Sequence, residues 1–167
     1  VHHVRKEKTR LCSGFSMDEL EYSLWKAKRG KAAGPDKVAN DMLKNLSTKG
    51  KEKLLILMNR SWKEGTCPGL WKLGEIIPLP KPGKDHQITS SYRPICLVSV
   101  ISKLIKRLVK NRLEHFLESH NKLDASQAGF RKSRSTVEQV GRLTQTIHDG
   151  FEEGMRTLVV YVDFSKA

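Results

Sequence analysis

Thr157-Leu-Val-Val-Tyr-Val-Asp-Phe-Ser-Lys-Ala167 is the stretch on which the reading of this sequence turns. Its β-branched and aromatic residues predict a short, buried strand. Asp163 stands at the end of that apolar run, where an unpaired charge is costly to bury. Two readings follow. Asp163 ends the strand and caps the next element, or it is a carboxylate on a rigid strand end, where it can coordinate Mg²⁺ together with substrate phosphates. The segment by itself leaves both open. The sequence stops four residues later, so whatever completes such a site is expected to lie outside it.

Working outward, 167 residues at 38% hydrophobic content allow one ordinary domain with a core. The chain opens on Val1 and closes inside an expected element, which reads as an internal piece of a longer protein. There is no signal-peptide pattern, and no apolar run approaches the ~18 residues a membrane helix needs, so neither secretion nor a membrane partner is expected. With 31 Lys and Arg against 18 Asp and Glu, the net charge of +13 points to a polyanionic partner, usually nucleic acid; a solubilising basic surface is the alternative. Cys12, Cys67 and Cys96 are widely spaced and odd in number, which suits free thiols in an intracellular protein rather than a zinc site.

In chain order, residues 1–14 read as a basic tail or connection. Ser16 and Glu19 have the form of a capping box, followed by Leu20, Leu24 and Ala27 at helical spacing with Trp25 beside them. Gly30-Lys-Ala-Ala-Gly-Pro-Asp36 is a small-residue loop; Gly34 permits unusual backbone angles, and the loop is either a phosphate approach or simply a turn. Helices are expected over about 36–46 and 49–64, the second burying Leu54, Leu57, Met58 and Trp62. Gly74 to Pro80 and Tyr92 to Leu97 read as extended segments forming a hairpin, with Lys81 and Arg93 flanking its loop. One point charge and one planar fork side by side suit a triphosphate, although two such residues beside a loop are also commonly just solvated.

Ser99 is expected to cap the longest helix. Ile101, Leu104, Ile105, Leu108, Val109, Leu113, Phe116 and Leu117 line one face of it, and Lys103, Lys106, Arg107 and Lys110 the other. Ser126 to Ser135 breaks the periodicity with an aromatic among small residues and cations, against which a base or sugar could pack. Ser135 and Glu138 suggest a second capping box, opening a helix that turns Val137, Val140, Thr144, Ile147 and Phe151 to the core and ends at Gly154.

The ordered set Gly30-Lys-Ala-Ala-Gly-Pro-Asp36, Ile77-Pro-Leu-Pro-Lys-Pro-Gly83, Tyr92-Arg-Pro-Ile-Cys-Leu97, Gln127-Ala-Gly-Phe-Arg131 and Tyr161-Val-Asp-Phe-Ser-Lys-Ala167 resembles the reverse transcriptases of non-LTR (LINE-type, jockey-like) retrotransposons. The resemblance runs from about Phe15 to the end. It implies an α+β, right-hand polymerase fold in which residues 15–167 form a partial reverse transcriptase domain: mostly helical fingers with a β-hairpin, then the palm from about residue 156, opening with its first strand. It further implies that Asp163 is catalytic and binds magnesium, two ions in the complete enzyme. Lys81 and Arg93 would hold the incoming nucleotide's triphosphate, and the loop of Gln127, Gly129, Phe130 and Arg131 would lie against the templating base and nucleotide. The implied partners are an RNA template, a DNA primer, deoxynucleoside triphosphates and the remaining palm and thumb; the implied location is the nucleus.

Within the match, Ala33 stands where the family often has Pro, and Lys37-Val38 replaces a common Gly-Ile. The family's paired aspartates do not occur in the sequence, so the chain by itself is expected to be inactive. A degenerate element copy acting as a non-catalytic nucleic-acid-binding module is the alternative function. An unrelated basic helical RNA-binding module would have no reason to carry these motifs in this order.

Overall fold

The computed structural model describes residues 11–163, and the chain divides into two units, Val1–His120 and Asn121–Ala167. In the first unit, α1 (Met17–Lys26) begins at Ser16. The Ser16 hydroxyl accepts the Glu19 N–H at 3.2 Å and the Glu19 carboxylate accepts the Ser16 N–H at 2.8 Å, the reciprocal pairing expected from the sequence. Leu20, Leu24 and Ala27 are buried, whereas Trp25 points outward. The helix expected over 36–46 shrinks to α2 (Asn40–Lys44). The Asp36 carboxylate instead accepts the Val38 N–H at 3.2 Å, and Lys37 takes a φ of 58°, so local turn bonding replaces the first helical turn.

Ser47 caps α3 (Thr48–Glu64) and Gly65, at φ 63°, closes it. Leu54 and Met58 are buried on this helix; Leu57, expected beside them, is exposed. α4 (Gly69–Lys72) buries Trp71, and α5 (Val100–Ser119) starts at Ser99, whose hydroxyl accepts the Ile101 N–H. Phe15, Leu20, Leu24, Leu43, Leu54, Met58, Val100, Leu104 and Leu108 form one apolar core. The basic face expected on α5, for nucleic-acid backbone or for solvent, is not uniform: Lys103, Lys106 and Lys110 are exposed, but Arg107 turns in and donates to the Ser23 carbonyl at 2.7 Å. An alkyl-ammonium stays hydrated more readily than a guanidinium, which is the better partner for a half-buried carbonyl.

The segment before α1 is tied down by side chains of α3 and α5. Asn59 brackets the backbone of Phe15, Trp62 Nε1 donates to the Cys12 carbonyl, and Arg112 donates to the carbonyls of Ser13 and Gly14. The tail boundary read at residue 14 thus falls within an attached segment; residues 1–10 lie outside the described residues. Gly34 shows why its loop needs glycine. A Cβ there would sit 2.6 to 2.7 Å from the backbone C and O of Val98 and the N of Ser99. Close packing against the start of α5 sets the requirement, and positive φ occurs at Gly30 instead.

β1 (Gly74–Pro80) and β2 (Tyr92–Val98) form a two-stranded antiparallel sheet with Ile77 opposite Ile95, Pro78 opposite Pro94 and Leu79 opposite Arg93. Proline has no N–H, so the Pro78–Pro94 pair is a non-hydrogen-bonded one, with both ring nitrogens on the outer edges.

In the second unit, α6 (Thr136–Glu152) starts at Ser135, which accepts the Glu138 N–H at 3.1 Å. The expected capping box is only half made, because the Glu138 carboxylate turns instead to Arg134 and Arg142, at 2.9 and 2.8 Å. Gly154, at φ 69°, ends the helical segment as expected. Two other expectations fail. Val137, Val140, Thr144 and Phe151 are exposed; Ile147 is half-buried. Residues 155–163 run without a ladder partner, so the buried terminal palm strand is not formed, and Leu158, Val160, Tyr161 and Val162 are exposed. A strand needs neighbouring strands to satisfy its backbone, and the only sheet among the described residues is the β1–β2 hairpin. Phe164 to Ala167, the end of the last motif, lie outside the described residues. No helix among the described residues is long and apolar enough to cross a membrane.

Candidate nucleotide and template site

Lys81 and Arg93 both stand at the loop end of the hairpin. Arg93 pairs with Leu79, and Lys81 follows two residues after Leu79, so the period-two alternation puts both cations on the same face as diagonal neighbours. The hairpin bonding continues past β1, with the Lys81 N–H donating to the Ser91 carbonyl at 2.8 Å. The Lys81 ammonium donates to the Ser90 carbonyl at 2.8 Å, which fixes its direction and leaves two of its three protons for a ligand. Arg93 is exposed. The loop between them is held by its own bonds. Asp85 accepts the Gln87 N–H at 2.9 Å, the Tyr92 hydroxyl donates to the His86 carbonyl at 3.0 Å, and Gly83 takes a φ of 69°.

The second unit carries the loop of Gln127, Gly129, Phe130 and Arg131. Arg131 Nη1 donates to the carbonyls of Asp124 and Gln127, at 2.7 and 3.2 Å, so this guanidinium pins the loop that contains it. Gln127 Nε2 reaches the Gly129 carbonyl at 3.5 Å, a long contact within the same loop. Asp124 accepts both the N–H and the hydroxyl of Ser126. Those bonds, the hydroxyl's foremost, together with the nearby charge of Arg131, hold the Asp124 carboxyl below its ordinary value. Phe130 is the residue left over. It is fully exposed and has a φ of 61°, a conformation bulky side chains seldom adopt. Such strain persists where surrounding bonds over-determine it, as Arg131 does here. An open cavity of about 480 Å³ adjoins the loop, lined by Phe130, Arg131, Arg134, Gln139 and Val140 among others.

Asp163 lies at the end of the described residues, exposed, at the close of the unpaired stretch. Its carboxylate is accessible to solvent. Among the described residues, the one group of three potential ligands within reach of one another is His148, Asp149 and Glu152 on α6, which does not include it. That group is already engaged in ordinary helix-surface contacts, His148 with Glu152 at 3.4 Å and Asp149 with Gln145 at 2.7 Å.

The stretch from residue 79 to 167, just over half the chain, matches the family model described as reverse transcriptase (RNA-dependent DNA polymerase). The chain belongs to the reverse transcriptase family. The matched stretch contains Lys81, Arg93, the Phe130 loop and Asp163. Similarity to individual proteins reaches further towards the N-terminus. The chain is 38% identical over 137 residues to the "Probable RNA-directed DNA polymerase from transposon BS" of Drosophila melanogaster, covering 82% of this chain and 15% of that protein. It is 30% identical over 153 residues to the corresponding protein of the transposon X-element and 27% over 155 residues to that of the mobile element jockey, both from the same fly, covering 92% and 93% of this chain and 17% of each relative. The chain therefore spans about a sixth of the length of the curated relatives it matches. Helices with one antiparallel hairpin accord with the fingers of a reverse transcriptase.

Sequence reasoning missed two features. One is Arg131 bonding its own loop; the spacing of Asp124 and Ser126 ahead of Gln127 was the available signal, since Asp with Ser two residues on favours a side-chain-bonded turn. The other is Arg112, whose partners lie more than ninety residues away and leave no local mark.

Proposed function

We propose that this chain is the fingers portion, with the opening of the palm, of an RNA-directed DNA polymerase encoded by a non-LTR retrotransposon. The observation that carries this reading is the placement of Lys81 and Arg93 on one hairpin face, inside the stretch that matches the family. An ammonium and a planar guanidinium at diagonal positions of one face can share a triphosphate, the ammonium as a point charge and the guanidinium through paired N–H donors. Phe130, presented by Arg131, offers an apolar face to the nascent pair formed by the templating base and the nucleotide. Phosphoryl transfer in such enzymes relies on positioning and charge stabilisation rather than covalent chemistry by the protein.

Magnesium would supply that charge stabilisation at the entering and leaving oxygens, and Asp163 would be one of its carboxylate ligands. One carboxylate is too few for two ions, so the chain alone should hold template and nucleotide without joining them; a nucleic-acid-binding relic of such an element would behave alike. Three exposed free thiols support an intracellular setting, and the mobile-element relatives support a nuclear one.

The test is primer extension on an RNA template by the longer polypeptide that carries this sequence. Asp163→Asn should abolish extension while leaving template binding in place. Undiminished turnover in that variant would remove Asp163 from the site, and failure of the wild-type chain to bind template at all would sink the polymerase reading.

A further inference from the structure

Two aromatic rings that the core does not use stand together on the outer side of α1. Tyr22 is 52% and Trp25 is 69% exposed, their ring centroids are 6.1 Å apart, and the planes meet at 36°. The Lys26 ammonium lies 4.9 Å from the Trp25 ring and 5.7 Å from the Tyr22 ring. The helix packs through Leu20, Ser23 and Leu24 and needs neither ring for its stability. Cations predominate next to the pair: Lys26, Lys28, Arg29 and Lys31 follow Trp25 in the sequence and are exposed, and Lys44 donates to the Trp25 carbonyl at 3.1 Å, while of the two carboxylates one turn earlier, Asp18 and Glu21, the second is paired with Lys51 at 2.8 Å. Of these, Arg29 is drawn to Asp41, at 3.6 Å.

An apolar protein face placed over these rings would have to desolvate the cations around them. A polynucleotide matches both parts at once, because a base has a π-face for the rings and each phosphate answers a cation. We propose that Tyr22 and Trp25 form a stacking platform for an unpaired base of single-stranded nucleic acid, with Lys26 and Lys28 holding the neighbouring phosphates. This deepens the polymerase reading, on which it rests, by giving the template strand a contact outside the stretch that matches the family model.

The test uses the 167-residue chain, a short labelled oligouridylate, and an abasic oligonucleotide of the same length that carries phosphates without bases. Trp25→Ala should weaken oligouridylate binding about tenfold, the effect of losing one base–aromatic stack. It should leave abasic binding unchanged, and Trp25→Phe should restore most of the loss. Quenching of tryptophan emission on adding oligouridylate should fall sharply in Trp25→Ala, since Trp71 is buried and Trp62 is half-buried. Circular dichroism serves as the folding control. Equal loss for both probes, or no loss for either, would overturn the platform while leaving the polymerase reading standing, as would Trp25→Ala altering only self-association. A wild-type chain that binds neither probe would overturn both.

Discussion

Arg112 holds Glu19 through two parallel bonds, Nε to Oε1 and Nη2 to Oε2, each 2.7 Å long, across 93 residues of sequence. The same guanidinium donates to the carbonyls of Ser13 and Gly14 and lies 4.6 Å from the Phe15 ring. Glu19 in turn closes the capping box of α1. One side chain of α5 thus fixes the start of α1, the direction of the segment before it and one wall of the core.

Removing that side chain should therefore be severe. Arg112 is 8% exposed and Glu19 26%, so Arg112→Ala takes the guanidinium away from a mostly buried carboxylate and is expected to destabilise the first unit by about 2–4 kcal/mol. Arg112→Lys should recover only part of this, because one ammonium cannot replace the fork. Urea unfolding followed by tryptophan fluorescence reads the first unit alone, since Trp25, Trp62 and Trp71 all lie in it. A midpoint unchanged in Arg112→Ala would show that the brace does not bear on stability.

Gly34→Ala tests close packing. The added methyl meets backbone atoms of Val98 and Ser99 that cannot rotate away, so roughly 1–3 kcal/mol of stability should be lost as the start of α5 shifts. Gly129→Ala is the control, with open space around its Cβ position and no positive φ, and should change stability little. Equal effects in thermal unfolding would contradict the packing explanation.

What the sequence disclosed follows the range of each interaction. Ser16 with Glu19 and Gly154 after α6 act within a few residues, and each sits where local pattern puts it. The hairpin was legible because proline and alternation limit what Gly74 to Pro80 can be. The shared face of Lys81 and Arg93 followed from that, as register converts sequence spacing into side-chain direction. The exposed side of α6 and the unpaired residues 155–163 were misread for one reason: periodicity shows which residues are apolar, whereas burial depends on what lies across from them. Phe130 was legible as a break in pattern, but its outward strain depends on where Arg131 bonds.

The Asp124 turn should respond to acid. Its carboxyl sits below the ordinary value because the charged form accepts the Ser126 bonds, so the turn is fully formed above pH ~3.9 and is lost as the pH falls through the lower folded value. The Ser126 amide resonance should report that transition, and Asp124→Asn should remove it. A midpoint above the ordinary aspartate value would contradict the bonding described.

Arg93 should govern use of the nucleotide. In the longer polypeptide, Arg93→Ala is expected to raise the KM for deoxynucleotide roughly tenfold or more, the loss of charge-assisted bonds, with a smaller change in kcat. Arg93→Lys should fall between, because it keeps the charge and loses the planar fork. Steady-state kinetics with varied nucleotide decides; a pure kcat effect would place Arg93 outside the triphosphate contacts.

The prolines of the hairpin have a consequence for the life of this molecule in a crowded cell. A two-stranded ribbon with isoleucines and leucines on its wet faces would ordinarily invite further strands and seed fibrils. Pro78 and Pro80 interrupt the donor row on one margin, and Pro94 interrupts it on the other. Each margin is thereby a poorer template for a neighbouring strand, which favours the ribbon's exposed faces over its edges as the surface for ligands.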